Sequence, residues 1–195
     1  MGMIINPYMF AAAGTPDVTD NFNRTDSTTT LGTASDGIHP WTAHVGTWGI
    51  NTNQAYCPTL SGGLGHATCD YGARDCTTQV TFATVARPMG MAVGYADSNN
   101  YLRIRIRIIA TVHRIEIHTV IAGVFVQLTS ADGTTWVDTD IMKVILGPGN
   151  SVDVHRNGAS LISSTDAGLA SIIGTRHGLY TESTSSRFDD FSIVA

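Results

Sequence analysis

Two sets of side chains in this 195-residue chain have the types and spacing to bind something. The first is cationic. Arg103, Arg105 and Arg107 stand at every second position of the segment Tyr101 to Ile109, and Arg114 follows in the next apolar stretch. In an extended chain alternate side chains share a face, so this spacing gathers positive charge on one side of two neighbouring strands. Like charges on one face repel unless something neutralises them. Scattered Asp residues, a protein–protein interface or an anionic glycan would each serve. The second set is aromatic: Trp41, Trp48, Trp136, Tyr71, Tyr95, Tyr101 and Tyr180. Such rings can stack on sugars beside amide and carboxylate groups, or they can pack a core. Trp136 follows a turn and alternates with Thr135 and Val137, so it is the ring expected to be exposed. Trp136, Tyr101, Arg103, Arg105, Arg107 and Arg114 are therefore the candidate ligand-binding residues.

Reactive constellations are sparser. Hydrolysis of a glycosidic bond uses two carboxylates about 5–10 Å apart, one of them held protonated. Glu116 is predicted to share a face with Arg114 and His118, with no second acid at matching positions of the adjoining strands. Asp138 and Asp140 are two apart and could form a pair, although polar residues at a turn account for them more simply. There is no Gly-x-Ser-x-Gly elbow for a nucleophilic serine, and the seven histidines follow no metal-ligand spacing. Cys57, Cys69 and Cys76 cluster in one stretch, and an odd number leaves at least one thiol unpaired within the chain. Cys69 and Cys76 could bridge a loop, or all three could pack as small hydrophobes. His66 near Cys69 invites a zinc site with Cys57 and Cys76, but no CxxC pair supports it. The reading is of a protein without catalytic machinery.

The elements that must position these residues are strands. Hydrophobic residues make up 43% of the chain and charged residues 14%, enough apolar material for a core and too little charge for a disordered tail. Only Glu116, Glu182 and Lys143 represent the residues that usually cover helix surfaces; Thr, Ser, Gly and Asn fill the polar positions. Ile104, Ile106 and Ile108 alternate with the arginines, which predicts a strand with isoleucines in the core and arginines outside. Val112 to Ile121, Val124 to Thr129, Asp140 to Leu146, Ser151 to His155, Ser160 to Ser163, Gln79 to Ala86, Met91 to Tyr95, Gly46 to Ile50, Gln54 to Cys57 and Arg187 to Val194 read the same way. Asn157-Gly158 predicts a two-residue hairpin turn, and Asp132-Gly133, Gly147-Pro148-Gly149 and Asp97 to Asn100 predict further turns. Phe188 and Phe191 are three apart, so either both faces of the last strand are covered or a bulge lies near Asp189-Asp190. Roughly a dozen strands at this spacing predict a two-sheet sandwich. Residues 1–19 look like an apolar arm, broken by Asn6-Pro7 and Thr15-Pro16, with room for a short helix at Met9 to Ala13; residues 20–195 form the domain.

The net charge of −5 and pI near 5.7 argue against a general nucleic-acid binder, which needs a basic face. No run of eighteen apolar residues exists to span a membrane as a helix. Met1 to Gly14 lacks a positive region ahead of its apolar stretch, a poor secretory signal. The chain is expected to stay inside its cell or leave by another route.

Several phrases in order carry a resemblance: Asp20-Asn21-Phe22-Asn23-Arg24, Leu31-Gly32, Trp41, Gly46-Thr47-Trp48-Gly49-Ile50, Tyr95 to Tyr101, Val154-His155-Arg156-Asn157-Gly158 and Arg187-Phe188-Asp189-Asp190-Phe191. Over about residues 20–194 the set resembles the concanavalin A-like, or laminin-G-like, jelly rolls of actinobacterial secreted proteins and of tail proteins in phages infecting those bacteria. The opening Ile4 to Tyr8 is similar to the start of short phage minor tail proteins. The resemblance implies an all-β, two-sheet antiparallel jelly roll. It also implies a non-catalytic virion component of the minor tail or tail-tip type, assembled in the host cytoplasm, contacting other virion proteins and cell-surface glycan. A homo-oligomer is expected with it. A bacterial extracellular carbohydrate-binding module, a capsid decoration protein and a glycoside hydrolase are the alternatives. The hydrolases of this fold carry Glu-x-Asp-x-x-Glu on one strand, which nothing here matches. The resemblance further implies a structural calcium near the first and last strands, for which Asp20 and Asp190 are the available ligands; otherwise Asp20 caps a turn and Asp190 pairs with Arg24 or Arg187.

Overall fold

Isoleucine at every second position does produce a strand with one dry side. The structure, a computed structural model, describes residues 17–195. The helix start at Met9 to Ala13 and the phrase Ile4 to Tyr8 lie outside the described residues. Fifteen strands follow in chain order: β1 Val18–Asp20, β2 Thr42–Val45, β3 Thr47–Asn51, β4 Gln54–Thr59, β5 Gly65–Asp70, β6 Cys76–Thr84, β7 Met89–Asp97, β8 Asn100–Ile109, β9 Val112–Ile121, β10 Val124–Asp132, β11 Ile141–Gly147, β12 Ser151–Arg156, β13 Ala159–Ser164, β14 Arg176–Thr181 and β15 Arg187–Val194. One 3-10 turn, Ala167–Ser171, precedes β14, its first N–H groups capped by Asp166. Val18 and Thr19, read as the end of the arm, lie in β1 and pair with β15.

The strands form two antiparallel sheets packed face to face. One runs β13-β12-β11-β6-β15-β4-β3, with β1 also on β15; the other runs β10-β9-β8-β7-β14-β5-β2. Ile104, Ile106, Ile115 and Ile117 of the second sheet meet Val80, Val144 and Val154 of the first in one core. Each such side chain contributes about 1.5–3 kcal/mol on burial. Ile108, expected in that core, is 46% exposed, one residue from the end of β8. Trp48, Phe82, Phe188 and Trp136 form a run of rings with centroids 5.4–6.0 Å apart.

Two irregularities decide where side chains point. Along β15, Asp189 to Ser192 spans three residues against two on β6, from Thr81 to Gln79, and Asp190 takes φ 45°. This bulge brings Phe188 and Phe191 to the same core. On β7, Ala92 to Tyr95 spans three residues against two on β14. Gly94 sits in that bulge at φ 58°, where a Cβ would lie 2.4 Å from Ile172 Cγ2, so only glycine fits. Its N–H donates to His177 Nδ1 at 3.2 Å, and His177 Nε2–H donates to the carbonyl of Ala73 at 3.0 Å. The consequence is that Tyr95 turns away from the core. The hairpin predicted at Asn157-Gly158 joins β12 to β13, with both residues at positive φ.

Candidate functional site

On the side of the seven-stranded sheet away from the core, a second cluster of buried residues contains Ala92, Tyr95, Tyr101, Val120 and Tyr180. His66 of β5 packs its ring 4.9–5.9 Å from the three tyrosines, and His44 of β2 stacks on Tyr95 at 4.4 Å. The pairing register supplies the rest. Across β8 and β9, Arg103 opposes His118, Arg105 opposes Glu116 and Arg107 opposes Arg114.

The polar half of this face is a connected network. Glu116, its side chain fully buried, accepts from Arg105 Nε and Nη2 at 3.0 and 2.8 Å on one oxygen. Its other oxygen accepts from Arg107 Nε and Nη2 at 2.9 and 2.6 Å. Arg105 Nη1 donates to Glu182 at 2.9 Å, and the Tyr180 hydroxyl donates to the same carboxylate oxygen. Arg114 pairs with Asp132 at 2.8 Å on the rim. Arg103 is different. It is only 6% exposed, lies 4.5 Å over the Phe125 ring and 5.6 Å over Tyr180, and donates from Nη1 to the Tyr180 hydroxyl at 3.3 Å. Burial, and then the charge of Arg103, depress the histidines beside it. His118 falls to about 4, and His66, with His44 adding to the effect, to about 3. Burial pushes Tyr101 up to about 12.

What distinguishes this cluster is its unpaired polar atoms. Both nitrogens of His66, the Tyr95 hydroxyl, Arg103 Nε and His118 Nδ1 are buried without a partner among the described residues. A buried donor or acceptor left unmade costs about 1–3 kcal/mol, and five such atoms, each closed off from solvent, lie within this one cluster. Phe125, 48% exposed on edge strand β10, and the half-buried His44 are the walls that face solvent.

The predicted site residues separate accordingly. Tyr101 and Arg103 belong to the cluster, Tyr101 as a buried ring and not an open platform. Arg105, Arg107 and Arg114, expected to meet solvent or a partner, are neutralised by Glu116, Glu182 and Asp132. Trp136, expected exposed, is 1% exposed: the loop between β10 and β11 folds it onto Phe82, beneath the Arg156 guanidinium. Glu116 does have a second acid near it, Glu182, reached through Arg105. It is no acid catalyst, though: burial raises its pKa, but the hydrogen bonds and charges of Arg107 and Arg105 outweigh that and hold it below the usual range. Asp138 and Asp140 are no pair either. Asp138 accepts from Val85 N–H, while Asp140 accepts from Val137 N–H, Arg156 and Asn157.

The implied calcium ligands do not fit an ion. The Asp20 carboxylate already accepts from Phe22 N–H, two Arg24 nitrogens, the Ser35 hydroxyl and Trp41 Nε1, at 2.6–3.0 Å. Five donors, two of them on a cation, leave no lone pair for a metal. Asp190 is exposed at the bulge, and the two residues line an open cleft of ≈ 340 Å³. No group of three or more His, Cys, Asp or Glu able to hold a metal occurs among the described residues. The zinc grouping fails for a geometric reason: His66 and Cys69 are three apart in β5, so His66 faces the tyrosines and Cys69 the core. All three thiols are free and buried, and burial raises the pKa of each.

No protein-family model matches the chain, and no curated protein does. Solved structures share its fold. The carbohydrate binding module CBM66 from Bacillus subtilis superposes with TM-score 0.52 at 14% identity, over 79% of this chain and 90% of that one. The carbohydrate recognition domain of Emp47p gives 0.55 at 8% identity, over 91% and 94%. The GH43 protein BlXynB from Bacillus licheniformis gives 0.58 at 14%, over 90% of this chain and 38% of that longer one. The chain is thus a two-sheet antiparallel jelly-roll sandwich of the concanavalin A-like kind.

Proposed function

We propose that the protein is a non-catalytic glycan-binding jelly roll that takes saccharide on the outer face of its seven-stranded sheet. The observation that carries this reading is the set of buried, unpaired polar atoms of His66, Tyr95, Arg103 and His118 beside tyrosine rings. Two of the proteins sharing the fold are described as carbohydrate-binding or carbohydrate-recognising, which supports it. Screening on a glycan array followed by calorimetry tests it. Tyr180→Ala is expected to weaken any hit by about tenfold or more, because it removes the hydroxyl that holds the Arg103 guanidinium at 3.3 Å. A hit indifferent to both Tyr180→Ala and His66→Ala would remove the site.

The setting we propose is a virion, as a minor tail or tail-tip protein, on the ordered phrases from Asp20 to Phe191. Edge strand β10 supports contacts with virion neighbours or further copies of the chain: Val124, Phe125 and Val126 are all about half-exposed or more along a row of unpaired backbone groups. Mass spectrometry of purified particles tests the setting, a defined stoichiometry being the expected result. A module of a secreted bacterial enzyme is the second reading, favoured by the match to part of a longer GH43 protein; it is tested by whether the gene's full product carries a catalytic domain.

A further inference from the structure

The glycan reading leaves open what kind of sugar the face selects, and the charges on the sheet narrow it. Three guanidiniums from β8 face the same side, and two glutamates answer them. Arg105 takes both and Arg107 shares Glu116, each gripping that carboxylate through its Nε–Nη2 edge. Arg103 takes neither. Its one hydrogen bond to a described residue runs from Nη1 to Tyr180, so the Nε–Nη2 edge donates to nothing among the described residues. Residues 1–16 contain no Asp or Glu. The side chains in direct contact with Arg103 are the Phe125 and Tyr180 rings, and the nearest carboxylate on that path, Glu182, stands one hydrogen bond further off behind the Tyr180 hydroxyl. A buried cation that pairs directly with no anion is among the costlier arrangements in a protein, and Gln or Met would fill the same volume without that cost.

We infer that Arg103 is the receptor for an oxyanion carried by the bound saccharide, so that the protein selects acidic sugars: uronic-acid chains or phosphate-bearing glycans. The inference rests on the proposed glycan site. A guanidinium edge presents two parallel N–H groups, which match the two oxygens of a carboxylate or phosphate. The unpaired nitrogens of His66 and the Tyr95 hydroxyl remain for the sugar's hydroxyls. Phe125, seated against Arg103 and half-exposed, is the side chain that must yield as the anion enters.

The test is calorimetry on the full chain with a panel of uronic-acid oligosaccharides, their carboxyl-reduced neutral counterparts, and a poly(glycerol phosphate) oligomer. An acidic ligand is expected to bind about tenfold or more tightly than its neutral counterpart, the range of one charge-assisted hydrogen-bond pair. Arg103→Gln is expected to erase that preference while keeping the far-ultraviolet circular dichroism of the parent. Should the variant not fold, the acidic-against-reduced comparison on the parent decides alone. Binding of the phosphate oligomer without the uronates supports the oxyanion and assigns its source. Equal binding of acidic and reduced sugars overturns the inference and leaves the glycan site standing, whereas failure of every saccharide overturns both.

Discussion

Replacing Glu116 by Gln keeps the shape of a side chain and removes the charge that two arginines are folded around. The Glu116 side chain is 0% exposed, against 12% for Arg105 and 31% for Arg107. Exposed ion pairs contribute about 0–1 kcal/mol, whereas removing one member of a buried pair costs about 3–5 kcal/mol because its partner stays dry and unpaired. Arg107 is open enough to rehydrate, and Arg105 keeps Glu182, so the lower end applies: about 3 kcal/mol. With a urea m-value of about 2–3 kcal/mol/M for a chain of this size, the unfolding midpoint at pH 7 should fall by about 1 M. The pH dependence sharpens the test. The folded-state pKa of Glu116 lies below its ordinary value of 4.5, despite burial, because of the guanidiniums. Its stabilisation is therefore complete above that value and disappears as pH falls through the folded pKa. The gap between parent and Glu116→Gln should close on acidification. A gap below about 1 kcal/mol at pH 7 would place the network in the class of solvated surface pairs, and a gap that persists at low pH would show that the carboxylate's charge is not its source.

Three further outcomes follow from named groups. His66, His118 and His177, whose pKa values burial chiefly lowers to about 3, 4 and 4, stay neutral in the folded chain while unfolded histidine titrates at 6.5. Stability should thus be full above pH 6.5 and decline toward pH 4, His177 alone accounting for about 3 kcal/mol at about 1.4 kcal/mol per unit; urea midpoints that stay level from pH 7 to 4.5 would contradict the burial. Gly94→Ala forces a Cβ to 2.4 Å from Ile172 at φ 58° and should lower Tm by about 2–12 °C, the effect of about 1–3 kcal/mol of strain; an unchanged Tm would mean the bulge can relax. Asp20→Asn should cost about 3 kcal/mol through Arg24 and Trp41, and millimolar calcium should leave the parent's Tm in place; a calcium-dependent rise that Asp20→Asn abolishes would restore the metal reading.

Period-two patterning is legible only where one face of a strand is dry and the other wet. β12 meets that condition, with Val152 and Val154 inside and Asp153 and His155 outside, and so does β15 once its bulge is allowed. β5, β7 and β14 do not. Buried along almost their whole length, they carry the core on one side and the tyrosine cluster on the other, so Gly65 to Asp70 and Arg176 to Thr181 show no alternation to detect. Of these three only the apolar run Met91 to Tyr95 of β7 is legible, whereas β5 and β14, which bring His66 and Tyr180 to the cluster, are not. Because β14 inserts between β7 and β5, Glu182 reaches Arg105 across 77 residues, a pairing that no local spacing reveals. A compositional signal did exist. Of sixteen acidic residues only two are glutamates, and both end against the arginine ladder. A β-strand surface has little use for Glu; its extra methylene lets a carboxylate on one strand reach guanidiniums on others. Counted against the ladder, the acids of that reach number two for three arginines. The arginine left over is then the position at which to look for a ligand's charge.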